Sequence, residues 1–196
     1  MINLLIDPMP TTMQVNGKEV DIRTSYRAWI LVEQLLMDKE IDEIEKAISL
    51  LDIVFYDPIS VAPFFKEILP QITQFCMACS EATTTEGDLD RKKIDSPPIK
   101  KPVLDYDYDA SLIYASFLAE YGIHLTREDL HWWEFRALLL NLHSSKYAEV
   151  LGIRAQEIPS DASDWERNRL LKLKNIYDLP DKRTEEEKDE EFYNQF

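Results

Sequence analysis

Leu130-His131-Trp132-Trp133-Glu134-Phe135-Arg136-Ala137-Leu138-Leu139-Leu140 is the stretch around which the chain reads best. It carries two of the four Trp residues, side by side, among residues that suit a helix. Adjacent side chains on a helix point about 100° apart. Both rings are therefore not expected in one core: one packs elsewhere, covers a second layer or meets a partner. Thr126 with Asp129 approximates a capping box, which predicts a helix from Thr126 through the Trp pair to about Leu142.

Moving outward, the C-terminal half reads as further helices. Asp107 or Asp109 can cap a helix ending at about Tyr121, with Gly122 as the residue past its end. Ser144 or Ser145 caps a short helix closed by Gly152. Asp164 to about Tyr177 forms another, rich in Leu, Arg and Lys. Upstream, Val15-Asn16-Gly17-Lys18 predicts a β-hairpin, because Asn-Gly suits the positive φ angles of a type I′ turn. Three helices follow: Tyr26 to Met37, capped by Thr24 or Ser25; Glu43 to about Tyr56, capped by Asp42; and Ser60 to about Cys79, kinked at Pro70. In the second of these, Ile44, Ala47, Ile48, Leu51 and Phe55 share one face.

Composition changes between Glu81 and Leu104, which is polar, charged and Pro-rich. The chain thus divides into a hairpin-plus-helices half (1–80), a flexible linker (81–104), a C-terminal helical lobe packed around the Trp pair (105–180) and an acidic tail (181–196). The fold class is mainly α with a small N-terminal β-hairpin and two helical lobes.

The totals narrow the function. The chain has 196 residues, 45% of them hydrophobic, and a formal net charge of −15. That charge repels nucleic acid and anionic membrane, so neither is expected as a partner. The start lacks a basic segment before its apolar residues and does not read as a signal peptide. Two Cys and no export signal predict a reducing cytoplasm.

No catalytic constellation emerges, so no enzyme is expected. Cys76-Met77-Ala78-Cys79 falls near a helix C-terminus, where the dipole does not lower a thiol pKa. A zinc site would need two further ligands at the right spacing, which are missing. Glu128-x-x-His131 is one half of a di-iron helix pattern whose second half is absent. Asp105, Asp107 and Asp109 fail the calcium-loop pattern, since Ala110 stands where Gly is needed. No metal or cofactor is expected. Trp132, Trp133 and Arg136 remain, of the residue types enriched at binding hot spots. They read either as partner-binding residues or as core, with Arg136 covering a ring.

Several segments carry a resemblance: the opening Met1-Ile2-Asn3-Leu4-Leu5-Ile6-Asp7-Pro8-Met9-Pro10, Val15-Asn16-Gly17-Lys18 and Tyr26-Arg27-Ala28-Trp29-Ile30. It continues in Tyr106-Asp107-Tyr108-Asp109-Ala110, Ile113-Tyr114-Ala115-Ser116-Phe117, the Trp segment and Tyr177-Asp178-Leu179-Pro180-Asp181. In these the chain resembles the tail assembly chaperone-like proteins of long-tailed phages and prophages of Gram-positive bacteria, encoded next to the tape-measure protein. The resemblance implies a non-enzymatic chaperone that binds and solubilises the tape-measure protein before the tail tube polymerises. A companion tail assembly chaperone and self-association are compatible with it. It implies action in the host cytoplasm and absence from the mature virion. The competing reading is a structural tail or baseplate protein retained in the virion.

Overall fold

The computed structural model describes residues 3–77 and 103–180. The fold is mainly α with one small two-stranded sheet. Strands β1 (Thr12–Val15) and β2 (Lys18–Asp21) pair antiparallel, with Val15 opposite Lys18. Asn16 (φ 51°) and Gly17 (φ 72°) both take the left-handed turn conformation that Asn-Gly predicts. Met13 and Val15 are buried while Gln14 between them is exposed, the period-two signature of a half-covered strand.

The helices are α1 (Tyr26–Met37), α2 (Glu43–Val54), α3 (Pro58–Val61), α4 (Phe65–Met77), α5 (Ala110–Tyr121), α6 (Trp132–Leu140), α7 (Lys146–Ala155) and α8 (Asp164–Tyr177). A short 3₁₀ turn, Ala62–Phe64, joins α3 to α4. Asp42 caps α2 as expected, accepting from Ile44 N at 2.8 Å. Asp57-Pro58 stops α2 and starts α3, with Pro58 in the first turn where its missing N–H costs nothing. Ser163 and Glu166 form a full capping box on α8. Pro70 lies inside α4, which continues through it to Met77. Cys79, most of the expected linker (81–102) and the acidic tail (181–196) lie outside the described residues.

Two compact units emerge. The first holds the described residues up to 77 together with 117–142. The second holds 103–116 and 143–180, so α5 contributes residues to both. The sequence reading put the Trp segment in a C-terminal lobe; instead it groups with the N-terminal residues. The reason is backbone pairing. Trp132 N donates to Thr24 O at 2.7 Å, and Tyr26 N donates to Leu130 O at 3.0 Å. Residues 130–132 are thereby drawn into an extended bridge with Ser25. This also corrects the expected helix start. Residues 126–130 are not helical, and α6 begins only at Trp132. Glu128 and His131 consequently do not share a helix. Ser25 stands at the α1 N-cap position without capping it, because its hydroxyl donates to Asp129 Oδ1 at 2.5 Å.

The hairpin is fastened to α4 by side chains acting on its backbone. Gln71 accepts from Gln14 N at 3.1 Å and donates to Gln14 O at 2.7 Å, and Glu67 accepts from Asn16 N at 3.0 Å. A two-stranded sheet is marginal alone, and these bonds with the burial of Met13 and Val15 tie it down.

The second unit is organised by Arg154 on α7. Its guanidinium forks onto the fully buried Asp109, with contacts of 2.6 and 2.8 Å. Its remaining donors reach Tyr177 O at 2.6 Å and Val103 O at 3.0 Å. Lys174 Nζ closes the arrangement by donating to Arg154 O at 2.8 Å. Asp109, read as a cap, is thus mainly an ion-pair partner. Asp105 provides the local turn bonds, accepting from Asp107 N and Tyr108 N. Gly152, read as a helix stop, lies inside α7, where Gln156 N still donates to Gly152 O.

Removing one partner of a buried bidentate pair strands the other charge, which costs about 3–5 kcal/mol. Asp109→Ala is therefore expected to lower stability by about that amount in urea unfolding. Asp109→Ala with Arg154→Met is expected to recover much of the loss, since no uncompensated charge then remains.

Candidate partner-binding surface

Trp132, Trp133 and Arg136 occupy the middle of the first unit. Trp132 is 0% exposed and Trp133 8%. The expectation that adjacent Trp rings must part company fails for a specific reason. Both indoles reach the C-terminal end of α4: Trp132 Nε1 donates to Cys76 O and Trp133 Nε1 to Phe75 O, each at 3.0 Å. Two neighbouring indoles at the start of α6 serve two neighbouring carbonyls at the end of α4. Around them runs a continuous aromatic core. Trp29 lies 4.2 Å from Phe75 and 6.5 Å from Trp132, and Phe135 stacks 4.6 Å from Tyr26 and 5.2 Å from Phe117. Such pairs contribute about 0.5–1.5 kcal/mol each beyond their buried area.

Arg136 is also engaged internally. It pairs with Glu33 of α1 at 3.0 Å and lies over the Trp132 ring, 5.3 Å from its centroid. In this conformation the three residues offer no free binding surface; they hold α1, α4 and α6 together.

His131 caps α6. Its Nδ1 accepts from Trp133 N at 3.1 Å, so the proton sits on Nε2, which donates to Pro10 O at 3.0 Å. Burial lowers its pKa, against the raising effects of Pro10 O and Glu134. Burial pushes the Cys76 thiol up to about 12, with Glu33 adding to the rise and Arg136 opposing it. That thiol is neutral at physiological pH and is a poor nucleophile. Among the described residues, no three His, Cys, Asp or Glu side chains gather where they could hold a metal ion.

Exposed apolar side chains of this unit lie elsewhere: Leu5, Ile6, Tyr56, Ile59, Met77 and Leu140 are exposed, and so are residues of α1 and α2. Ile44 is 72% exposed and Ile48 64%, with Leu31 and Met37 also exposed on α1. An open groove of about 340 Å³ runs between the two helices, lined by Leu31, Leu35, Ile41 and Ile53 with Gln34, Asp38 and Ser49. Its surroundings are acidic. From Asp38 to Asp52 the chain has six Asp and Glu against two Lys. One of these, Lys46, is occupied by Asp38 O at 2.7 Å and Glu43 at 3.7 Å.

Sequence periodicity missed this surface. Ile44 and Ile48 share a stripe with Leu51, and an apolar stripe reads as core. Only the second half of α2 is covered, through Leu50, Leu51 and Val54.

The family model described as Bacteriophage Gp15 protein matches residues 5–179. The chain belongs to that bacteriophage family. The match spans both units, and therefore the Trp segment, the α1–α2 face and α8 alike. Neither curated proteins nor solved structures show a match.

The His131 cap makes stability depend on pH. Because its folded pKa lies below the ordinary value, the unfolded chain binds the extra proton first. The contribution is complete above about pH 6.5 and declines as pH falls below it. His131→Asn keeps a capping acceptor without titrating. Urea midpoints at pH 7 and pH 5 are expected to differ less in this variant than in the natural chain.

Proposed function

We propose that the chain is a non-enzymatic tail assembly chaperone of a long-tailed phage. It binds the tape-measure protein and keeps it soluble until the tail tube polymerises around it. The observation that carries this reading is the open, mostly apolar groove between α1 and α2, with Leu31 exposed in it and acidic surroundings. Contiguous exposed apolar surface is a mark of an interaction site. A groove between two helices accepts the apolar stripe of a third, laid in through residues spaced three and four apart. Acidic flanks favour a stripe bordered by Lys and Arg and speed encounter with it. Membership of a bacteriophage family supports the setting.

A tape-measure chain is long and helical, and it exposes apolar stripes until it is encased. Many copies of a small acidic protein, each holding one stretch with modest affinity, would keep it soluble and still release it to the advancing tube. A companion tail assembly chaperone would share this load. In this reading the chain works in the host cytoplasm and leaves before the virion matures.

The test is co-expression with the tape-measure protein of the same phage. A soluble complex carrying several copies of the chain is expected. Leu31→Glu, in the groove and 53% exposed, should weaken it while leaving the unfolding midpoint nearly unchanged, because substitutions at exposed sites usually change stability by about 0.5 kcal/mol or less. Tape-measure protein that stays insoluble with both chaperone chains present would count against the proposal. Retention of the chain in mature virions at fixed copy number would make it a structural tail or baseplate protein.

A further inference from the structure

The chain carries one helix with the chemistry that the α1–α2 groove favours. In α8, Arg167, Arg169, Lys172 and Lys174 occur with no acid between Arg167 and Tyr177. This is a basic island in a chain of net charge −15. No residue of α8 is buried. Trp165, Arg169, Lys172 and Ile176 recur at i, i+4, i+7 and i+11, which places them within one narrow stripe about 16 Å long. All four are exposed, and Trp165 is 70% exposed. Arg169 lies over the Trp165 ring, 5.7 Å from its centroid, so the stripe presents an aromatic and two cations together.

The groove offers the complement. Leu31, Leu35, Ile41 and Ile53 line it with one acid, Asp38, and two further acids, Glu45 one turn before the lining residue Ser49 and Asp52 next to the lining residue Ile53, are exposed on α2. We propose that the free face of α8 docks in the α1–α2 groove of a second copy of this chain. The two patches differ, so the contact is heterologous: each copy can give one α8 and accept another. Its products are open head-to-tail oligomers or a ring, in contrast to a two-fold dimer.

One helix face on one groove buries less than the roughly 1,200 Å² of a standard stable interface. Association is therefore weak, and the oligomers are in rapid exchange with monomer. The chain's own acidic tail is a poor occupant by comparison, since it brings like charge to an acidic rim.

Self-docking regulates the site assigned above to the tape-measure protein, and in that respect it rests on that reading. A second copy covers the apolar groove until a higher-affinity helix displaces it. The contact itself needs no phage partner, so it is tested on the purified full chain alone. Failure here leaves the chaperone proposal standing, and failure of co-expression leaves this one standing.

The experiment is light scattering and sedimentation velocity over a concentration series reaching about 100 µM, where contacts of this size become populated. The expected result is a mass that rises with concentration beyond that of a dimer. Arg169→Glu with Lys172→Glu should return the chain to monomer, and so should Glu45→Lys with Asp52→Lys. Mixing the two reversed variants should restore a complex, because each then offers a matched pair of surfaces to the other. A natural chain that stays monomeric throughout would overturn the proposal and leave the groove to other helices. Oligomers that survive either reversal would overturn it as well.

Discussion

Two indole N–H groups hold the first unit in place. Trp132 and Trp133 donate to Cys76 O and Phe75 O, and through those bonds the start of α6 is fixed on the end of α4. A buried indole N–H left without an acceptor costs about 1–3 kcal/mol, so each bond is worth more for the penalty it avoids than for its own strength. The rest follows from that placement. With α6 anchored, Phe135 meets Tyr26 and Phe117, Trp29 is sealed between Phe75 and Trp132, and Arg136 reaches Glu33. The backbone of 130–132 pairs with Thr24 and Tyr26, which brings a segment more than a hundred positions away against the N-terminal helices. The consequence for function is indirect. Because the aromatic helix is spent on the core, the surface proposed for a partner is the less conspicuous α1–α2 groove.

Features decided by nearby residues were legible in the sequence. The Asn16-Gly17 turn, the Asp42 cap, the bounds of α1 and the span of α8 all rest on interactions within a few positions. Features decided by distant residues were not. Thr126 and Asp129 look like the start of a helix, but Asp129 accepts from Ser25 and pairs with Arg27 instead. Residues 126–131 are held by other bonds, and the helix starts six residues late. Asp109 reads as a cap because nothing local reveals that Arg154, 45 positions on, takes both of its oxygens.

The candidate site shows the same limit from both sides. Large aromatics and an Arg are the residue types of binding hot spots, and they are equally the residue types of a well-packed core. Trp132, Trp133 and Arg136 are the second kind. Conversely, Ile44 and Ile48 have the spacing of core residues and lie in solvent. Periodicity gives the face of a helix and not the length over which a neighbour covers it. The one sequence signal that pointed toward this surface was charge: acids cluster from Asp38 to Asp52, beside an apolar stripe too long for the part of α2 that is covered.

The central claim is that a partner engages α1 and α2 while the Trp helix stays internal. Hydrogen exchange of the chain, free and in complex with the tape-measure protein, tests it most directly. The account predicts new protection across residues 37–53 and unchanged, already slow exchange across 132–140. Protection gained at 132–140 with none at 37–53 would contradict it and return the Trp pair to the interface.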